Sequence, residues 1–269
     1  GVAEAAWATV VAFAVSCAMA AYWYLYDKEM YVRISRKDLR YDSRLSRDVL
    51  SVGAPEALEL SVMYFFNIYL NLMVIRCGGT DAVGIYSTGW RVAYIILVVA
   101  QAMGGALVAV CSAEYGMKRF DMIEDAFKYT VVSSILWSIG LSVVMALMAE
   151  PMADIFTHSE GMAYLHDDTV LMFRLFSLCL PVMTMVYTGS SLLQALNRAM
   201  GGTINSTARN IMLCVAFYSA AVTFGTVSSL FWVMCICEII GGIMMGLHAY
   251  IVLRRVVARE GKGGVTPAS

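Results

Sequence analysis

Charge is what this sequence has least of. Of its 269 residues, 14% are Asp, Glu, Lys or Arg, where a soluble domain carries about 25%. Proline occurs four times and histidine three times. The motifs of soluble active sites are missing too: there is no phosphate-binding G-x-x-x-x-G-K-[ST], no G-x-G-x-x-G, no H-E-x-x-H and no G-x-S-x-G. Without the first, the chain has no usual means of being driven by ATP hydrolysis. No basic excess exists either, since 19 Lys and Arg face 20 Asp and Glu, so no face for nucleic acid is implied. An ordinary cytosolic enzyme, a disordered chain and a nucleic-acid binder are excluded.

Apolar residues fill the space, at 60% of the chain with a mean hydropathy of +0.70. A membrane span takes about 20 apolar residues, so this length holds roughly six or seven spans and no soluble catalytic domain. All seven cysteines except Cys77 lie inside apolar runs and read as small buried hydrophobes. Cys235 and Cys237 would point to different sides of a helix, which suits neither a metal pair nor a redox dithiol. His158, His166 and Asp167 read as solvated loop residues rather than a zinc site. No cofactor is implied. The chain opens on Gly1 and enters an apolar segment without the basic start or cleavage site of a signal peptide, so Gly1 is read as lying inside a longer protein.

Six apolar stretches cover residues 2–26, 50–75, 83–114, 123–149, 169–196 and 206–253. The last is too long for one helix, and Gly225-Thr226-Val227-Ser228-Ser229 divides it. Seven spans result. The connections alternate in charge. Residues 27–49 hold Lys28, Arg33, Arg36, Lys37, Arg40, Arg44 and Arg47; Lys118 and Arg119 follow the third span, Arg198 the fifth, and Arg254, Arg255, Arg259 and Lys262 the last. The intervening connections hold little basic charge, and the fourth-to-fifth has Glu150, Asp154, Glu160, Asp167 and Asp168 without any Lys or Arg. The positive-inside rule then places the 27–49 linker and the C-terminus in the cytoplasm and the acidic connection outside, in a plasma or inner membrane. The linker reads as a segment resting on the inner leaflet.

Ionisable and polar groups at membrane depth carry the functional signal, since each costs several kcal/mol unless paired or wetted. Glu59, Met63, Asn67 and Asn71 recur every four residues on one helix face, with Glu56 a turn earlier. Such a stripe can line a wet path for a proton or small cation; an acid at a helix start is equally explained by the dipole. Tyr86, Trp90 and Tyr94 form a second stripe beside Arg91, either an interfacial belt or part of a ligand wall. Arg91 either snorkels or pairs with Glu56 or Glu59. Gln101, followed by Gly104-Gly105, suits close packing around a polar site. The fifth span has Arg174 near its outer end, then Pro181, which is expected to kink it, and Tyr187. Glu238 lies deep in the last span among Gly241, Gly242 and Gly246 and must face protein or water. Arg209 reads as a cytoplasmic anchor at the start of its span.

The run Gly53-Ala-Pro-Glu-Ala-Leu-Glu59 and the run Gly79-Thr-Asp-Ala-Val-Gly-Ile-Tyr-Ser-Thr-Gly-Trp-Arg91 resemble the multidrug and toxic compound extrusion (MATE) family. So do Ala113-Glu-Tyr-Gly-Met-Lys-Arg-Phe120, Ala153-Asp-Ile-Phe-Thr157 and Leu193-Gln-Ala-Leu-Asn-Arg198. The likeness is to archaeal and bacterial members, and it rests on the order and spacing of these runs. It implies an all-α polytopic bundle: the last helix of an N-terminal lobe at 1–26, a cytoplasmic linker at 27–49, a six-helix C-terminal lobe at 50–255 and a cytoplasmic tail at 256–269. It also implies export of small amphipathic or cationic compounds by proton or sodium antiport, in a cleft shared with the missing N-terminal lobe. The family's deeper seventh-helix acid corresponds to Met63, and the fifth span has no acid, which leaves Glu59, with Glu56, Asn67 and Glu238, as the ion-coupling set. The substrate cleft would take Met63, Asn71, Tyr86, Trp90, Arg91, Tyr94, Gln101, Arg174 and Tyr187. A lipid-linked oligosaccharide flippase of the same superfamily and a truncated, non-transporting membrane protein are the alternatives.

Overall fold

A computed structural model describes residues 2–26, 42–157 and 163–260, and all regular structure in them is helical. Most of the basic linker, His158, Glu160 and the tail from 261 lie outside the described residues. The elements are α1 (Val2–Tyr26), α2 (Ser43–Gly116), α3 (Phe120–Leu147), α4 (Ala149–Phe156), a 3-10 turn at Ala163–Leu165, α5 (His166–Ala195), α6 (Ala199–Thr223) and α7 (Val227–Glu260). Two compact units divide the chain, Gly1–Glu56 and Ala57–Ser269. The first contributes α1 and the opening turns of α2; the second contains everything that follows.

A straight helix the length of α2, 74 residues, would run about 110 Å against a hydrocarbon core of about 30 Å. Gly79 resolves the conflict. Its backbone sits at φ 72°, ψ −169°, a region glycine enters without steric penalty, and it breaks α2 into arms at 43–78 and 80–116. With that break the long helical segments among the described residues number seven, as the hydropathy pattern predicts, and α4 is an addition. The acidic connection was expected to be loop throughout. Instead Ala149–Phe156 closes two turns, because Pro151 falls in the first turn, where no N–H is needed, and Glu150 suits the helix N-terminus.

The connections gather at two ends. At one, Tyr164 donates to Asp81 (3.1 Å), Ser228 bonds Asp168, and Val227 abuts Gly78. His166 bridges Asp154 (3.0 Å) and Asp167 (3.4 Å) there, and Gly225 turns α6 into α7 at φ +63°. The opposite end holds two turns of one design. Lys118 and Asn197 take positive φ (60° and 59°), and the arginine after each donates its N–H back into the preceding helix, Arg119 to Glu114 (2.9 Å) and Arg198 to Leu193 (2.8 Å). These are helix C-terminal caps in which the chain reverses over one left-handed residue. The alternation of basic and acidic connections in the sequence is thus an alternation of ends in the fold.

Helix α5 is the hub, packed on α7, α3 and α6 and buried along its length from Thr169 to Ala195. Pro181 sits inside it, and Thr184 donates to the Pro181 carbonyl (2.7 Å). One core cluster centres on Phe173, Phe176, Phe217 and Phe231, and another on Ile123, Leu192, Leu193 and Leu253. Large apolar side chains such as Phe65, Ile95, Leu136 and Leu247 face outward. Four helical stretches, Ser61–Gly116, Phe120–Leu147, His166–Ala195 and Val227–Ala258, are long and apolar enough to cross a membrane, and Gly79 makes two passes of the first. The molecule is an all-α membrane helix bundle.

Candidate functional site

The start of α6 decides what the site contains. Hydropathy places the start of this span near Ser206, which would put Arg209 in its opening turn. The helix begins at Ala199, so Arg209 lies ten residues inside it, about 15 Å along the axis. The expected anchor at a helix start is therefore a charge near the middle of a 25-residue helix. Glu238, eleven residues into α7, reaches the same level from the other end. Arg209 Nη1 donates to Glu238 Oε2 at 2.6 Å, and Arg209 Nη2 donates to Asn210 Oδ1 at 3.2 Å. Gly241 makes the crossing possible: a Cβ there would lie 2.4 Å from Cδ of Arg209 and 2.5 Å from its Cγ. A guanidinium takes such a place because it stays charged and offers donors in a fixed fork.

This pair closes one side of a cavity of about 290 Å³. From the first arm of α2 come Met63, Asn67 and Asn71, the two amides joined by a long 3.4 Å contact. The second arm adds Tyr86, Trp90, Arg91 and Tyr94. Trp90 is the centre of the aromatic wall, edge-on to Tyr86 (6.4 Å), tilted to Tyr94 (6.0 Å) and to Phe176 of α5 (5.2 Å). Helix α5 contributes Met183 and Tyr187, α6 contributes Arg209 and Asn210, and α7 contributes Glu238. The cavity is polar at one side and aromatic at the other.

Nine of the residues singled out in the sequence therefore meet in one place: Met63, Asn67, Asn71, Tyr86, Trp90, Arg91, Tyr94, Tyr187 and Glu238. Two others fall elsewhere. Arg174 does not line the cavity; its Nη2 donates to Glu150 Oε1 at 2.8 Å on the exposed acidic end, a partner supplied by α4. Gln101 is exposed one face along the second arm, within reach of Tyr187 but outside the lining. Glu56 and Glu59 belong to the helical backbone of α2, and their side chains lie outside the described residues. Arg91 makes no ion pair with a described carboxylate, and the partner expected for it falls on those two acids. Sequence reasoning missed Arg209 and Asn210. A signal was present: Arg209 and Glu238 stand 16 and 13 residues either side of Gly225, so two antiparallel helices joined there bring opposite charges to nearly one level.

A family model described as MatE matches residues 55–218, more than half of the chain. The chain belongs to the MatE family. The matched stretch takes in the first arm of α2 from residue 55, the whole second arm and Arg209, and it ends before Glu238. Solved structures share the fold. A MATE protein crystallised in complex with MaL6 superposes with a TM-score of 0.83 at 22% identity, over 94% of this MatE chain and 57% of its own. A MOP superfamily transporter from Pyrococcus furiosus, described as having a binding pocket of reverse polarity that suggests a different function, gives 0.82 at 23% identity over 94% and 56%. The outward-facing conformation of a multidrug resistance MATE family transporter gives 0.82 at 22% identity over 96% and 58%. The chain thus spans a little over half the length of these structures. No curated protein sequence matches it.

Proposed function

We propose that this chain is one lobe of a secondary active MOP-superfamily exporter in the plasma or inner membrane, with its C-terminus cytoplasmic, paired with an N-terminal lobe across a cleft. The supporting observation is the cavity, where an aromatic wall faces a buried carboxylate held by an arginine. Small amphipathic or cationic compounds suit such a wall, since aromatic faces accept both apolar bodies and cations. Glu238, with Glu59, Glu56 and Asn67, is the ion-coupling set for H+ or Na+. Protonating Glu238 releases Arg209 and leaves the cavity one charge more positive. An ion drives alternating access only if its affinity differs between the two lobe arrangements. A carboxylate whose partner sits on a neighbouring helix has that property whenever α6 and α7 shift.

In the complete transporter, Glu238→Gln and Glu59→Gln are expected to uncouple efflux from the ion gradient while substrate binding persists. Efflux that still follows the gradient in both variants defeats the coupling assignment. One observation favours a second reading, the lipid-linked oligosaccharide flippase: Arg209 joins Arg91 in the lining, so two cations face one described carboxylate. Quenching of Trp90 fluorescence by a lipophilic cation supports the exporter, and quenching by a polyprenyl phosphate alone supports the flippase. A chain that quenches with neither is the third alternative, a non-transporting membrane protein.

A further inference from the structure

A second cavity, of about 360 Å³, lies between α3, α5 and α7 and shares no lining residue with the first. Its walls are hydrocarbon: Phe127, Val131 and Val132 from α3, Met185 from α5, Ile243 and Leu247 from α7. The one hydroxyl in its floor, Thr188, already donates to the Thr184 carbonyl (3.1 Å). No polar group in those walls is left to recognise a polar ligand, so the groove fits an alkyl chain.

All its charge sits at one mouth, the end with the basic turns. Glu124 bonds Lys128 (2.8 Å) and lies 3.8 Å from Arg254. Arg254 also donates from Nε to the Tyr250 hydroxyl (2.9 Å) and stacks over that ring (5.3 Å). Two exposed cations thus share Glu124, with Asp125 a second acid near Lys128, so an anionic headgroup would meet the free faces of two cationic side chains. From Arg254 back to Ile243 is eleven residues, about 16 Å of helix, close to the half-thickness of about 15 Å of a bilayer core. The dimensions are those of one leaflet, with a charged mouth at the interface and an apolar end at the midplane.

We infer that this groove binds one anionic glycerophospholipid of the leaflet on the basic side, its phosphodiester at Lys128 and Arg254 and one acyl chain along Val132, Met185 and Leu247. Basic pockets between transmembrane helices on the cytoplasmic side hold anionic headgroups by this chemistry. Nothing in the inference depends on what the first cavity transports.

Native mass spectrometry of the 269-residue chain in detergent tests it, with phosphatidylglycerol and phosphatidylcholine of identical acyl chains as probes. Phosphatidylglycerol is expected to bind roughly tenfold more tightly. The pair Lys128→Gln with Arg254→Gln should abolish that preference, and Val132→Trp, a change at an exposed groove wall, should weaken both lipids by filling the space. Equal binding of the two lipids, or a preference that survives removal of both cations, overturns the inference. So does a dimer that Val132→Trp dissolves while lipid adducts persist, which would assign the groove to a second copy. Helical content measured by circular dichroism separates any loss of binding from loss of fold.

Discussion

Two arginine–glutamate pairs in this molecule have nearly the same geometry and opposite surroundings. Arg174 and Glu150 meet at 2.8 Å with 57% and 67% of their side chains exposed; Arg209 and Glu238 meet at 2.6 Å with 18% and 3% exposed. Water or lipid headgroups can replace either partner in the first pair. In the second, removing one partner leaves the other charge stranded in a low dielectric, where desolvation outweighs the attraction that was lost. Distance alone ranks the two as equals, and burial separates them. The buried pair is also the one that can act as a two-state element, because breaking it has consequences the bundle must accommodate.

The largest effect is expected for Arg209→Met, which strands Glu238 and should lower stability by about 3–5 kcal/mol in thermal unfolding of the detergent-solubilised chain. Adding Glu238→Leu should restore most of that loss; a single variant within about 1 kcal/mol of the parent would put both pairs in the same class. Gly241→Ala comes next, at about 1–3 kcal/mol, since its Cβ would occupy the path of the Arg209 side chain. A double-mutant cycle sharpens the point, because Gly241→Ala should cost little once Arg209 is Ala, which removes the Cγ and Cδ that the new Cβ would meet. Asn210→Ala removes the acceptor on Arg209 Nη2 and is expected to cost about 0.5–1.5 kcal/mol. Smallest is Arg174→Gln, at about 0–1 kcal/mol and less still in 1 M salt, where an exposed pair is screened. A larger or salt-independent loss would mean that the α4 contact is more enclosed than its exposure indicates.

Hydropathy and turn chemistry carried most of the fold. The gap between residues 75 and 83 marked the break that the structure places at Gly79, and Gly225 divided the last stretch where α6 and α7 meet. Charge alternation told which turns share an end. Helix starts were less legible: glycine and threonine at 201–203 resemble a loop, and the α5–α6 turn, fixed by the left-handed Asn197, overrides their weak propensity. That seven-residue shift moved Arg209 from the end of its helix to the middle. The cavity's stripes on α2 were readable because helical periodicity is local. The Arg209–Glu238 and Arg174–Glu150 pairs were not, since each depends on how separate elements pack, and α4 had no apolar length to announce it.

Gly79 constrains how this protein can change over evolutionary time. Connections between helices ordinarily absorb insertions and deletions, yet here one residue does the work of a loop. Adding or removing a residue beside it would rotate an arm by about 100° about its axis. Asn67 and Asn71, or Tyr86 and Trp90, would then turn away from the wall they form. The turns at Lys118 and Asn197 sit farther from the cavity, so length variation among relatives should collect there and at the acidic end beyond α4. A chain of the same fold with an insertion at Gly79 would need a different set of residues to build its cavity.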